Sequence, residues 1–129
     1  MSDRVIFVDD DEKYLMSLKR YLSATRVDWV TDFWSNEVQA LERIKTEKSA
    51  VIVLDMAMPQ IDGATFCRHI REISTKTGTR FHIIMLTGTV GPAATINALE
   101  WGADDYLTKP MDLDSLRIHI TLGLTLINS

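Results

Sequence analysis

The acidic run Asp9-Asp10-Asp11, the carboxylate of Asp55 within an apolar stretch, the hydroxyl of Thr87 and the Lys109-Pro110 pair are the side chains of this sequence best suited to chemistry on a phosphoryl group. A hard Mg2+ ion takes oxygen ligands and commonly accepts one or two protein carboxylates beside phosphate oxygens. Asp9, Asp10 and Asp55 could supply them. A carboxylate can also attack phosphorus to give an aspartyl phosphate, a reaction to which the protein contributes positioning and neutralisation of charge. Lys109 and the Thr87 hydroxyl suit that second task. Each residue alone has a plainer reading. Asp11 with Glu12 would cap a helix, Thr87 would be a strand or turn residue, and Lys109 a solvated charge. Asp55 is harder to set aside, because a carboxylate ending a buried strand requires a partner.

These residues need elements to bring them together, and the hydrophobic pattern supplies them. Short apolar runs at 5–8, 27–31, 51–54, 81–86 and 106–107 predict strands. Helical spacing lies between them, in Leu15, Leu18 and Leu22, in Val38, Leu41 and Ile44, in Phe66, Ile70 and Ile73, and in Ile96 and Leu99 after Pro92. Pro59, Gly63, Gly78, Gly88, Gly91, Gly102 and Pro110 punctuate the series. Strands that are almost wholly apolar predict burial on both faces, and strand-helix alternation with right-handed crossovers predicts a doubly wound α/β domain. In such folds ligands bind beyond the carboxyl ends of the strands, which is where Asp9, Asp55, Thr87 and Lys109 fall.

The final segment admits two patterns. Leu116, Ile118, Ile120, Leu122, Leu124 and Leu126 alternate like a strand, whereas Leu113, Leu116, Ile120, Leu124 and Ile127 form a helical stripe behind a candidate N-cap, Asp112. A helix is the expectation, and it leaves Ile118, Leu122 and Leu126 as a second apolar stripe with no evident cover.

Composition bounds the rest. The 129 residues carry 14 Lys plus Arg against 18 Asp plus Glu, a net charge of -4 that argues against a nucleic-acid-binding surface. With 46% apolar and 25% charged residues the expectation is one globular domain spanning 1–129. The single cysteine, Cys67, has no disulfide partner, and Cys67 and His69 do not share a helix face, so neither a disulfide nor a Cys/His metal site is expected. His82 and His119 stand isolated and are expected to be satisfied or solvated. No signal peptide or membrane span is read, and a reducing, cytoplasmic compartment fits best. Phosphate-cradling glycine motifs for nucleotides are absent from the sequence.

The motifs VIFVDDD at 5–11, VLDMAMPQIDG at 53–63, IMLTG at 84–88 and ALEWGADDYLTKP at 98–110 together resemble the receiver domain of bacterial two-component response regulators. The resemblance implies a (βα)5 flavodoxin-like sandwich with parallel sheet order 2-1-3-4-5. It implies that Asp55 is the phosphoacceptor, that Asp9 and Asp10 hold Mg2+ with the Ala57 backbone carbonyl, and that Thr87 and Lys109 grip the phosphoryl group. Tyr106 would be the aromatic switch residue answering Thr87, Lys109-Pro110 a cis peptide, and Asp62-Gly63 the loop closing the rim. The chain departs from the family pattern in places. Gly88 stands where Ala is more usual, which widens the rim. Ala57 and Thr89 occupy the positions that tune acyl-phosphate hydrolysis, and Met111 replaces a common Phe. Trp101 replaces a smaller residue and reads either as a partner contact or as packing over a helix end.

The leading functional expectation is therefore a switch phosphorylated on Asp55 by a sensor histidine kinase or phosphotransfer protein, with output through the face of the fourth helix, fifth strand and fifth helix. On that face Ile118, Leu122 and Leu126 are expected to serve homodimerisation or output contact. The enzyme-class rival is a haloacid-dehalogenase-type phosphohydrolase using Asp9, with Asp11, Thr87, a lysine and Asp104-Asp105 as its remaining motifs. A third reading is a receiver fold used purely for binding. The sequence names neither kinase nor output, and the chain reads either as a stand-alone receiver or as the N-terminal part of a longer regulator.

Overall fold

Val5, Ile6, Phe7 and Val8 are all buried because the strand they form, β1 (Arg4–Val8), lies inside a sheet covered on both faces. A computed structural model of the chain describes residues 3–55, 63–88, 92–109 and 112–129. β1 is joined by β2 (Val30–Trp34), β3 (Ser49–Asp55), β4 (Arg80–Thr87) and β5 (Asp105–Thr108) in a parallel sheet of order β2-β1-β3-β4-β5. The crossovers are α1 (Glu12–Thr25), α2 (Glu37–Ile44), α3 (Gly63–Thr77) and α4 (Pro92–Glu100), and α5 (Leu113–Ile127) closes the series. The doubly wound architecture and the strand order expected from the sequence are those observed.

Side chains leave a strand alternately to its two faces. Val5, Phe7, Val51, Val53, Ile84 and Leu86 accordingly meet α1 and α5, where Leu15, Leu18, Leu22, Leu116, Ile120 and Leu124 are buried. Ile6, Val8, Ile52, Leu54, Ile83 and Met85 face the other way and meet Ala40 and Ile44 of α2, Phe66, Cys67 and Ile70 of α3, and Ala98 of α4. Each fully buried aliphatic side chain contributes roughly 1.5–3 kcal/mol relative to exposure, so the two layers together dominate folding.

Three expectations need correction. The second strand begins at Val30 rather than at 27, because Arg26 adopts a left-handed conformation (φ 55°) that turns the chain out of α1. Val27 and Trp29 then pack against the α1/α5 layer without pairing, and β2 is an edge strand that continues as far as Trp34. Its inner side is secured by Phe33, which stacks on Phe7 with ring centroids 4.9 Å apart. Val38 of α2 and Ile96 and Leu99 of α4 belong to helices as expected but point to solvent. Alanines, Ala40 and Ala98, take the buried positions instead, and their small size lets the helices lie close to the sheet.

The ambiguous last segment is a helix. Asp112 caps it by accepting from Asp114 N at 2.7 Å and Ser115 N at 3.1 Å. The strand-like alternation is two helical stripes superposed. Leu116, Ile120 and Leu124 are buried, whereas Ile118, Leu122 and Leu126 are 57%, 56% and 57% exposed. Gly123 lies so close to the sheet that a Cβ there would sit 2.6 Å from His82 Cδ2, which is the reason this turn of the helix carries no side chain.

Candidate functional site

Order β2-β1-β3-β4-β5 reverses direction between β1 and β3, and the crevice beyond their carboxyl ends is where doubly wound folds place ligands. Asp9 follows β1 directly, and its N–H donates to Trp34 O at 3.0 Å, extending the strand pairing by one residue. Asp55 is the last residue of β3, paired with Leu86, and Thr87 is the last of β4. Lys109 follows β5, and its N–H donates to Thr87 O at 2.7 Å, so the two strand ends fix where the lysine side chain starts.

Strand parity then decides which of these side chains meet. Asp9 and Asp55 follow Phe7 and Val53 and so project on the α1/α5 side. Both are buried, 3% and 4% exposed. Lys109 Nζ reaches in between them, 3.3 Å from Asp9 Oδ2 and 3.5 Å from Asp55 Oδ1. Thr87 follows Met85 and so belongs to the opposite parity, as does Tyr106, which pairs with Met85 one pleat back from Thr87. Thr87 is buried, and Tyr106 is half-buried against the core layer of α2, α3 and α4.

The acidic group is close enough together to be a candidate site for a small hard cation. Asp9, Asp10 and Asp55 each offer a carboxylate oxygen, all within 4.8 Å of one another, and Asp10 is exposed while the other two are buried. Octahedral ligands about 2.1 Å from a Mg2+ ion lie about 3–4 Å apart, so a small closing of this group would let the three oxygens share an ion. Burial raises the Asp9 pKa to about 6, the Asp11 N–H at 2.9 Å opposes that rise, Asp55 adds to it, and Lys109 opposes it. For the Lys109 ammonium burial acts downward, but Asp9 and Asp55 outweigh it and hold its pKa above the ordinary value. The site is thus a buried carboxylate pair with one resident cation, and it gains from a further positive charge.

Local structure explains the approach of α1. The Asp11 side chain accepts from Lys13 N and Tyr14 N and caps α1, the plain reading of that residue. The first turn of α1 is thereby set over the site, and the Tyr14 ring comes beneath Lys109, with Nζ 4.5 Å from its centroid. Sequence reasoning passed over Tyr14, although an aromatic residue three positions after a cap that itself follows a strand end was the available signal.

Other expected residues fall elsewhere. Ala57, Asp62, Thr89, Pro110 and Met111 lie outside the described residues, and with them the expected cis peptide and the carbonyl ligand. Trp101 packs partly buried against the α2/α3/α4 core layer, which is the helix-end packing of its two readings. Cys67 is fully buried, and its thiol is pushed up to about 11 by that burial. His119 is not isolated, since its Nδ1 lies 2.6 Å from Asp105 Oδ2. The rival hydrolase arrangement does not form. Asp104 accepts from Ile83 N at 2.8 Å and binds Arg71, and Asp105 pairs in register with Ile84, three residues before Thr87, so both lie toward the other end of β5.

Comparison with known proteins agrees with this geometry. The sequence matches the response regulator receiver domain over residues 5–121. It is 37% identical over 116 residues to the response regulator MprA of Mycobacterium ulcerans, an alignment covering 90% of this chain and 47% of that one. The chain therefore spans about half the length of the curated relatives it matches. Among solved structures, a two-component response regulator from Clostridium difficile superposes with a TM-score of 0.83 at 28% identity, covering 99% of this chain and 100% of that one. The beryllofluoride-activated NtrC4 receiver domain dimer gives 0.80 at 29% identity, covering 96% and 98%.

Proposed function

Since this chain belongs to the response regulator receiver domain family, we propose that it is a signalling phosphoacceptor in which Asp55 takes a phosphoryl group from the phosphohistidine of a sensor histidine kinase or phosphotransfer protein. A carboxylate oxygen of Asp55 attacks phosphorus, the new O–P bond forms as the P–N bond breaks, and the imidazole leaves. The observation that carries this reading is Lys109 Nζ set between Asp9 and Asp55, where it is placed to neutralise oxygens of a group held on Asp55. Mg2+, held by Asp9, Asp10, Asp55 and the Ala57 carbonyl, would supply the remaining neutralisation. Asp9 and Asp10 orient the site, and Lys109 exchanges one carboxylate partner for a phosphoryl oxygen.

Thr87 and Tyr106 supply the means of transmission. The phosphoryl group carries a charge near -2 where the Asp55 carboxylate carried -1, and adds acceptor oxygens farther from the strand end. These draw the Thr87 hydroxyl inward from the end of β4, and Tyr106, one pleat back on the same side, follows. The face of α4, β5 and α5 then changes. Ile118, Leu122 and Leu126 are exposed along α5, as are Ile96 and Leu99 on α4, and exposed apolar side chains on these two helices support homodimerisation or output contact there. Trp101 borders it. The beryllofluoride-activated NtrC4 receiver is a dimer, in keeping with that role. Work in the cytoplasm without direct contact with membrane or nucleic acid completes the proposal, and no helix among the described residues is long and apolar enough to cross a membrane.

Intact mass after incubation with acetyl phosphate, with and without Mg2+, tests it on wild type, Asp55→Asn and Asp9→Asn. A Mg2+-dependent phosphoryl adduct absent from Asp55→Asn is expected. An adduct that survives Asp55→Asn but vanishes in Asp9→Asn would overturn the reading in favour of the hydrolase. No adduct on wild type, with beryllofluoride also failing to bind, would favour a pure binding module.

A further inference from the structure

We propose that Tyr14 is a positioning residue for Lys109, its ring holding the ammonium in line with Asp55 when the carboxylates no longer do so. The inference rests on the phosphoacceptor reading and adds a residue to it. Lys109 Nζ has three neighbours of opposite electrostatic character to its own, namely Asp9 at 3.3 Å, Asp55 at 3.5 Å and the Tyr14 ring face at 4.5 Å from the centroid. The first two are the carboxylates suited to a divalent cation. Once they share such a cation, their pull on the ammonium falls, because the cation offsets their charge. The ring quadrupole is unaffected by that sharing and continues to attract the ammonium.

The ring is itself firmly placed. Its backbone N–H donates to Asp11, whose own N–H donates to Asp9, and the side chain is lodged beside Phe7, Leu15, Leu18 and Leu86 under the two carboxylates. The contacts close a circuit from Asp9 through Asp11 and Tyr14 to Lys109 and back to Asp9. A leucine at position 14 would fill much of the same apolar space but offer no negative face. Lys109 would then be free to swing along the partly open side of the site, where its side chain is 28% exposed.

The experiment uses the whole chain as wild type, Tyr14→Phe and Tyr14→Leu. One readout is the Lys109 εCH2 resonance in proton-carbon NMR spectra with Mg2+ present, assigned by its loss in Lys109→Gln. The other is the rate of phosphoryl adduct formation with acetyl phosphate at fixed Mg2+. Ring-current displacement of the εCH2 signal is expected in wild type and Tyr14→Phe and its loss in Tyr14→Leu, with adduct formation roughly three- to thirtyfold slower in Tyr14→Leu and rescued in Tyr14→Phe. A folded Tyr14→Leu that forms the Asp55 adduct at the wild-type rate overturns the role of Tyr14 and leaves the phosphoacceptor reading standing. Tyr14→Phe as slow as Tyr14→Leu also overturns it, by assigning the effect to the hydroxyl. A wild type that forms no adduct is instead a failure of the phosphoacceptor reading, and an undisplaced εCH2 signal in that protein removes the ring's hold on Lys109 as well.

Discussion

The Lys109 ammonium lies 3.3 Å from the Asp9 carboxylate, joining residues a hundred positions apart in the chain at the carboxyl edge of the sheet. It is the cation that makes burial of Asp9 and Asp55 tolerable in the absence of a metal. Lys109→Gln leaves two buried carboxylates facing each other, a loss of about 1–3 kcal/mol at pH 7.5. The loss narrows at pH 5, where Asp9, with its pKa raised to about 6, is largely protonated in the fold. Urea titrations of both proteins at both pH values measure it. Equal losses at the two values would show that the ammonium does not compensate Asp9.

Asp9 also gives the wild type a pH dependence of definite sign. Its pKa rises from 3.8 unfolded to about 6 folded, chiefly through burial. The folded chain therefore binds more protons than the unfolded chain between these values, and stability falls as pH rises across that window. Asp9→Asn removes the dependence and is expected to be more stable than wild type at pH 7.5 in chelator, by about 1–3 kcal/mol. Mg2+ reverses the order by raising the Tm of wild type and leaving that of Asp9→Asn nearly unchanged. Thermal melts with EDTA and with Mg2+ decide this. A destabilised Asp9→Asn in EDTA would mean that the charged carboxylate is favoured in the fold.

Two glycines should respond oppositely to alanine. Among the described residues nothing lies within 4 Å of where a Cβ on Gly88 would sit, and its backbone is outside the left-handed region, so Gly88→Ala is expected to stabilise by about 0.4–1 kcal/mol through the unfolded chain. At Gly123 the same methyl would meet His82 Cδ2 at 2.6 Å and Val51 Cγ2 at 3.1 Å. Overpacking there costs about 1–3 kcal/mol and exceeds the gain in helix propensity of up to about 1 kcal/mol. Denaturant midpoints measure both, and a Gly123→Ala at least as stable as wild type would show that α5 is free to move off the sheet.

Leu122 is 56% exposed and contributes little to folding. Leu122→Glu should change stability by no more than about 0.5 kcal/mol while abolishing self-association of the beryllofluoride-treated protein, measured by light scattering after size-exclusion chromatography. A wild type that stays monomeric under beryllofluoride and Mg2+ would remove homodimerisation from the proposal and leave output contact.

Much of this was legible in sequence for identifiable reasons. Runs such as 51–54 have no polar face, which only a two-sided sheet accommodates, and Leu15, Leu18 and Leu22 keep one helical stripe that the structure buries. The second strand was misplaced because Val27 and Trp29 are as apolar as a strand requires, yet the left-handed turn at Arg26 sends them to packing rather than pairing. Ile96 and Leu99 mark a helix correctly but not its buried face, since periodicity gives a stripe without saying whether small Ala98 or its larger neighbours meet the sheet.

By itself the sequence determined the doubly wound order of elements and the set of oxygen and nitrogen groups at their ends, because hydrophobic period and residue type are local properties. The tertiary structure decided which of those groups touch. Strand parity sends Asp9 and Asp55 to the α1/α5 side and Thr87 to the other, while the cap at Asp11 brings Tyr14 beneath Lys109. Contacts between residues remote in sequence depend on how layers register in space, and no spacing along the chain encodes that directly.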